Sequence, residues 1–218
     1  QKPIEPRDHS RLMVLTGSGE TCHKHFYDLP SLLNEGDILV FNDSRVIPAR
    51  LSGKKKPDGG KVEILLLKET TPDTWEALVK PGKRLKPGHR IIFAAGALEG
   101  EIIDYTGYGG RKISFRSNMS GVTVKALINS IGEMPLPPYI HEKLTDKERY
   151  QTIYSRTEGS VAAPTAGLHF TPALMESIRN MGVSEIFITL HVGLDTFRPV
   201  NTVLVEEHRI HSELCMIS

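Results

Sequence analysis

Lys61-Val62-Glu63-Ile64-Leu65-Leu66-Leu67-Lys68, Thr74-Trp75-Glu76-Ala77-Leu78-Val79-Lys80 and Arg111-Lys112-Ile113-Ser114-Phe115-Arg116 decide the architecture. Ile113 and Phe115 alternate with Lys112, Ser114 and Arg116, the period of a strand with one buried face. Residues 90–94 and 98–104 form two further runs, and Gly, Pro or Asp turns separate them all. Five or six short strands at this spacing predict a small antiparallel β-barrel.

Upstream, residues 11–15 and 22–26 read as two strands joined by Thr16-Gly17-Ser18-Gly19-Glu20. The Gly-Ser-Gly lacks both the third glycine and the following helix of a nucleotide loop, so it reads as a hairpin turn. Asp28 is placed to cap a helix over residues 29–35 that Gly36 closes. Residues 37–41 are a buried strand. An extended run over 46–51 follows Asn42-Asp43-Ser44-Arg45, and Pro48 sets it at an edge or leads it out of the sheet.

Downstream, Val124, Leu127, Ile128 and Ile131 have helical spacing and predict a helix over 122–131 closed by Gly132. Pro135-Leu136-Pro137-Pro138-Tyr139-Ile140 is a stiff connector back from the barrel. Residues 146–154 predict a short helix, and Thr171-Pro172 starts another that ends at Gly182. Residues 184–192 read as a strand. The sum is a mixed α/β domain, 1–52 and 135–218, interrupted by an inserted small antiparallel β-barrel over 53–134.

Hydrophobic residues are 39% and charged residues 24% of the 218, ordinary globular usage that excludes a disordered or fibrous chain. Cys22 and Cys215 make no disulfide framework and fit a reducing compartment, hence a cytoplasmic location. Apolar runs such as Ile64-Leu65-Leu66-Leu67 are too short to cross a bilayer, and no basic-then-apolar leader opens the chain. The first residue is Gln1 and the last Ser218, which reads as a piece of something longer, and a monomer is expected. Net charge is +1, yet ten Lys/Arg face five Asp/Glu between Gly53 and Arg90. Lys54, Lys55 and Lys56, and Lys83, Arg84 and Lys86, sit in the barrel's turns or where it begins. They are either solvated turns or a landing surface for phosphates. No aromatic RNP-type motif accompanies them, so base reading by stacking is not expected.

Two segments concentrate chemistry. In Ala162-Ala163-Pro164-Thr165-Ala166-Gly167-Leu168-His169-Phe170, small residues admit a ligand to the backbone, and the helix start that follows suits an anion. Thr189-Leu190-His191-Val192-Gly193-Leu194-Asp195-Thr196-Phe197-Arg198-Pro199 is a strand ending in a loop, where ligands of sheet proteins collect. Arg198 offers a forked pair of donors to a carboxylate or phosphate. Five of nine histidines fall from His141 onward: His141, His169, His191, His208 and His211. His191, at a strand end, has the chemistry of an acid or base near neutral pH. His208 and His211 lack the carboxylates or cysteines that complete a zinc set, so no metal is expected.

The Asn42-to-Leu51 run, Gly132-Glu133-Met134-Pro135-Leu136-Pro137-Pro138-Tyr139-Ile140, Ala163 to Thr171, and His191 to Val200 resemble signature blocks of the S-adenosylmethionine:tRNA ribosyltransferase-isomerase family, as do Glu206-Glu207-His208 and His211-Ser212-Glu213. The matches run in order along nearly the whole chain. Pro164-Thr165-Ala166-Gly167-Leu168-His169-Phe170 is the most specific. Asp195 stands where the family commonly has glycine, and the family's further C-terminal motifs are absent.

The resemblance implies a queuosine-pathway enzyme that moves and rearranges the ribosyl part of S-adenosylmethionine onto 7-aminomethyl-7-deazaguanine at the tRNA wobble position. Adenine and methionine leave. The partners are tRNA and S-adenosylmethionine, the latter as co-substrate, with no cofactor and no membrane. His191 or His169 is then assigned proton transfer, with Glu213 a second candidate. Arg45 or Arg198 binds a carboxylate or phosphate, Thr165, Gly167, Gly193, Thr196 and His211 line the substrate pocket, and Lys54, Lys55, Lys56, Lys83, Arg84 and Lys86 position tRNA. The alternatives are a non-catalytic RNA-binding module or, further off, a metal-dependent hydrolase.

Overall fold

The computed structural model describes residues 4–107, 109–137, 139, 140, 142, 144–193, 202–207 and 213–217. β1 (Arg11–Leu15) and β2 (Thr21–His25) pair antiparallel, Arg11 opposite His25. The glycines between them do form a hairpin turn: Thr16 N–H donates to the Glu20 carbonyl at 2.9 Å, and Gly19 has φ +84°. The next element is not the helix expected over 29–35 but a 3-10 helix, Phe26–Leu32. Asp28 lies inside its first turn, where its carboxylate accepts the His25 N–H at 2.9 Å. Pro30 has no N–H to donate to an α-helical ladder, which favours the shorter form.

β3 (Ile38–Asn42) is followed by a three-residue strand, β4 (Ser44–Val46), and Pro48 then separates β4 from the barrel. Six strands close that barrel: β5 (Arg50–Lys55), β6 (Lys61–Thr71), β7 (Thr74–Lys80), β8 (Arg90–Phe93), β9 (Leu98–Tyr105) and β10 (Arg111–Ser117). All its pairings are antiparallel. Leu51, Ile64, Leu66, Ala77, Ile91, Leu98, Ile102 and Ile113 are 0% exposed inside it. Each large aliphatic among them contributes about 1.5–3 kcal/mol on burial. Gly53 is needed for this packing, because a Cβ there meets the Phe93 ring at 2.6 Å. Lys54 and Lys55 lie within β5, the first strand of the barrel.

α1 (Val124–Ile131) lays Val124, Leu127 and Ile128 on the barrel core. It starts two residues later than its periodicity implied, because Thr123 is the cap, accepting the Ala126 N–H at 3.2 Å. The helix expected over 146–154 shrinks to a 3-10 turn, Lys147–Tyr150, capped by Asp146. β11 (Thr157–Ser160) pairs parallel with β4, a pairing the sequence did not announce. α2 (Pro172–Asn180) begins at Thr171-Pro172 as expected. β12 (Ser184–His191) runs parallel to β3, and β13 (Leu214–Met216) joins β12 antiparallel. A second core of Phe26, Phe41, Phe170, Leu174, Met175, Ile178 and Val183 packs α2 against this sheet. The fold is thus a mixed α/β unit carrying an inserted antiparallel barrel. No described helix is long and apolar enough to cross a membrane.

Candidate functional site

The parallel strands β3 and β12 end side by side, and Asn42 manages the exit. Its Nδ2 donates to the Leu190 carbonyl at 2.9 Å, and its Oδ1 accepts the N–H groups of Leu190 at 3.0 Å and Ser44 at 3.1 Å. The side-chain amide thus stands in for a peptide, so β3 turns away while β12 runs on to His191. Asp43 follows, buried at the turn. One carboxylate oxygen accepts from Thr189 Oγ1 at 2.6 Å; the other faces Arg156, with Nη2 at 3.1 Å and Nε at 3.2 Å. The Arg156 guanidinium also lies 4.8 Å over the Phe187 ring.

His191 closes β12 with its ring against Gly159. A Cβ at 159 meets the His191 Cε1 at 2.7 Å, and Gly159 has φ +144°, so space and backbone both require glycine. The His191 Nδ1 is buried with no hydrogen-bond partner among the described residues. Burial lowers the imidazole pKa from 6.5, with the Asp43 charge working the other way, which keeps the ring neutral near neutral pH. Ser160 secures the next residue: its Oγ accepts the Val192 N–H at 3.1 Å and donates to the Ala162 carbonyl at 2.7 Å. Glu213 then accepts the Gly193 N–H at 2.8 Å, one position before β13 pairs Leu214 with His191. Three residues singled out in the sequence, His191, Gly193 and Glu213, therefore gather here, together with Asp43.

His169 is held elsewhere. Its Nδ1 bonds Ser10 Oγ at 2.9 Å, its ring sits 5.1 Å from Phe26, and no ring contact or hydrogen bond joins it to His191. It ends the 3-10 turn Thr165–His169, in which Thr165 is exposed and Gly167 buried. Gly167 admits the Tyr154 hydroxyl, which lies 2.2 Å from where its Cβ would be; burial pushes that tyrosine up to about 12. At the start of α2, Thr171 Oγ1 accepts the Leu174 N–H at 3.2 Å and donates to the Asp8 carboxylate at 2.9 Å. Arg45 is engaged by Glu148 and by Ser155 Oγ. Thr196, Arg198 and His211, with Asp195, His141 and His208, lie outside the described residues.

The basic residues divide. Lys55 pairs with Asp58 and Lys56 with Glu99, which Arg90 and Arg116 also approach at 3.8 Å. The Lys56 hydrogen bond, against the cost of burial, holds the Glu99 carboxyl below its ordinary value. Lys54, Lys83, Arg84 and Lys86 are exposed and have no ion pair among the described residues. The loop bearing the last three is fixed from below by Arg111, 7% exposed. Arg111 donates to the carbonyls of Gly82 at 2.6 Å, Leu85 at 2.8 Å, Gly109 at 3.0 Å and Gly110 at 2.9 Å, and it stands 4.4 Å over the Tyr105 ring.

Sequence reasoning missed Asp43, Gly159, Ser160 and Arg111 as positioning residues. For Arg111 a signal existed: it shares the odd-numbered, inward face with Ile113 and Phe115.

The chain is thus an α/β unit interrupted by a six-stranded antiparallel barrel, with its candidate site at the ends of β3 and β12. The family model described as queuosine biosynthesis protein matches residues 1–218, so the chain belongs to that family. It is 53% identical, over all of its own length and 63% of the relative's, to the S-adenosylmethionine:tRNA ribosyltransferase-isomerase of Caldanaerobacter subterraneus subsp. tengcongensis. The enzyme of the same name from Acetivibrio thermocellus is 51% identical, with 100% and 63% covered. A crystal structure of S-adenosylmethionine tRNA ribosyltransferase from Thermotoga maritima is 31% identical, covering 89% of this chain and 54% of that one, with a TM-score of 0.34. The chain thus spans under two thirds of the length of the curated relatives it matches.

Proposed function

We propose that this chain acts in transferring and isomerising the ribosyl part of S-adenosylmethionine onto 7-aminomethyl-7-deazaguanine at the wobble position of tRNA, giving epoxyqueuosine and releasing adenine and methionine. The observation that carries the reading is the cluster of His191, Asp43, Gly193 and Glu213 at the ends of β3 and β12, inside a chain matched end to end by the family model. A sulfonium acidifies the adjoining 5′ carbon, and the reaction starts when a base removes a proton there. His191 is the base: its ring is neutral, its Nδ1 has no hydrogen-bond partner among the described residues, and the Asp43 carboxylate steadies the imidazolium that results. S-adenosylmethionine is a co-substrate, and no cofactor enters the scheme. Lys54, Lys83, Arg84 and Lys86 supply the tRNA backbone contacts.

The test is adenine release from labelled S-adenosylmethionine in the presence of precursor-bearing tRNA. Release is expected, and His191→Ala lowers it by about 10²–10⁴-fold, the usual contribution of a positioned base. Unchanged turnover in that variant removes His191 from the scheme. RNA binding without adenine release instead supports a non-catalytic binding module.

A further inference from the structure

The register of the barrel sets a row of side chains across its outer surface. Residues directly opposite in an antiparallel pair share a face. Lys61 of β6 stands opposite Lys54 of β5, Lys54 opposite Ile92 of β8, Ile92 opposite Glu99 of β9, and Glu99 opposite Arg116 of β10. The residues next to them along the strands, Val62, Ile91, Phe93, Leu98 and Phe115, are buried in the barrel core, so the row faces outward. At about 4.8 Å per strand, its four steps cover about 19 Å of surface.

Glu99 is the one acid of the row, and three cations converge on it: Lys56 at 2.9 Å, Arg90 and Arg116 at 3.8 Å. The Glu99 side chain is only 10% exposed beneath them, while those of Lys56, Arg90 and Arg116 remain 49%, 55% and 71% exposed. Arg90 also meets Glu101 at 3.1 Å. Lys54, Lys56, Lys61, Arg90 and Arg116 therefore face only Glu99 and Glu101. Glu63, on the same face of β6 as Lys61, is taken by Arg50 at 2.9 Å. Lys54 and Lys61 are exposed and have no ion pair among the described residues. Two lysines opposite each other on paired strands repel, which weakens the pairing. Folding alone does not favour that arrangement, whereas an external anion does.

The barrel is also held fast where it meets its host. Arg50 and Glu133 exchange both backbone hydrogen bonds, at 3.1 and 2.9 Å. Gly132 is pressed so close to Pro48 that a Cβ there meets the Pro48 carbonyl oxygen at 2.0 Å. This clasp joins the segment entering the barrel to the one leaving it. The row itself has a single apolar member, Ile92, and no aromatic ring, which suits successive phosphates held without base reading rather than the apolar centre of a protein interface.

We infer that Lys61, Lys54 and Arg116, with the Lys56 and Arg90 gathered by Glu99, form a track for the sugar–phosphate backbone of an RNA across the outer face of the barrel. The inference rests on the function proposed above, which supplies the RNA. It adds to the loop bearing Lys83, Arg84 and Lys86 a contact surface built on the strands themselves.

Filter binding of an unmodified tRNA transcript to the full chain tests this, over a range of salt concentrations and alongside melting curves. Lys54→Gln together with Lys61→Gln is expected to weaken binding by about tenfold or more at about 0.1 M salt. The log–log salt slope flattens by about 1.4–1.8, two contacts at about 0.7–0.9 each. The loss is the same for a tRNA of unrelated anticodon, as backbone contacts require. The melting temperature holds or rises, because the repelling pair is gone. Arg116→Gln, at a side chain 71% exposed, flattens the slope by about 0.7–0.9 on its own and decides the matter should the double variant fail to fold. Unchanged affinity and slope in these variants, with the unsubstituted protein binding tRNA, overturn the track and leave the proposed reaction standing. Displacement of the tRNA by poly-glutamate at equal charge overturns RNA in favour of an acidic protein. Failure of the unsubstituted protein to bind any tRNA overturns the track and counts against the proposed function as well.

Discussion

The barrel and the strand-end region treat polar atoms in opposite ways. Inside the barrel the buried polar residues are Glu99 and Arg111, and both are fully engaged, by three cations and by four carbonyls respectively. Around the ends of β3 and β12 the buried polar residues are Asp43, Ser44, Gln151, Thr152 and Ser160. Ser44 Oγ, Thr152 Oγ1 and His191 Nδ1 find no partner among the described residues, whereas Thr106 Oγ1 is the barrel's counterpart. Unspent hydrogen-bonding capacity costs stability, and folds retain it where something must be recognised. The barrel leaves one buried hydroxyl without a partner among the described residues, and the strand-end region leaves several.

Four changes break or sharpen that contrast. Leu66→Ala, at a 0%-exposed barrel position, is expected to lose about 2–5 kcal/mol in denaturant melts. A loss well below that range means the barrel is not one packed unit. Arg111→Met frees four carbonyls and is expected to cost about 1–3 kcal/mol, with faster amide exchange around Gly82 and Leu85. Unchanged exchange there shows that the basic loop holds its own shape.

Asp43→Asn acts on the open region, and its signature is a titration. Removing the charge that opposes burial lowers the His191 pKa further, which imidazole NMR resonances report. The sign for stability follows. Because the folded value lies below 6.5, the unfolded chain binds more protons. The His191 contribution is therefore present above that pH and lost as pH falls through the folded value, and Asp43→Asn carries the loss to lower pH. Reversing Lys83, Arg84 and Lys86 to Glu together is the mildest for folding, within about 0.5 kcal/mol per surface site. The same change flattens the log–log salt dependence of tRNA binding by about 0.7–0.9 for each phosphate contact removed. An unchanged slope reduces these residues to solvated turns.

The barrel was legible because its information is local: alternation at Ile113 and Phe115, punctuated by turn residues, is written within each strand. So were the caps at Thr171 and Gly132, which depend on neighbours in sequence. The parallel pairs β3–β12 and β4–β11 were not, since nothing in a strand names a partner more than a hundred residues away. For the same reason the site was half visible. His191, Gly193 and Glu213 stood in quoted segments, but Asp43 acquires its role only through Thr189 and Arg156. His169 stood in the most specific motif, yet Ser10 and Phe26 take it up, with no hydrogen bond or ring contact to His191.

The clasp that joins Arg50 to Glu133 and presses Gly132 on Pro48 also bears on the order of assembly. Phe41 and Phe187 must find each other across a very long stretch of chain, which on its own is a slow, entropically costly search. Once the barrel has folded from its own local pairings, the clasp short-circuits the part of that stretch between Arg50 and Glu133, while residues 134–183 still separate the clasp from β12. The inserted unit thus lowers the loop-closure cost of its host's sheet by about 1 kcal/mol or less. A defect in the clasp should accordingly slow refolding of the parallel sheet more than it weakens the barrel itself.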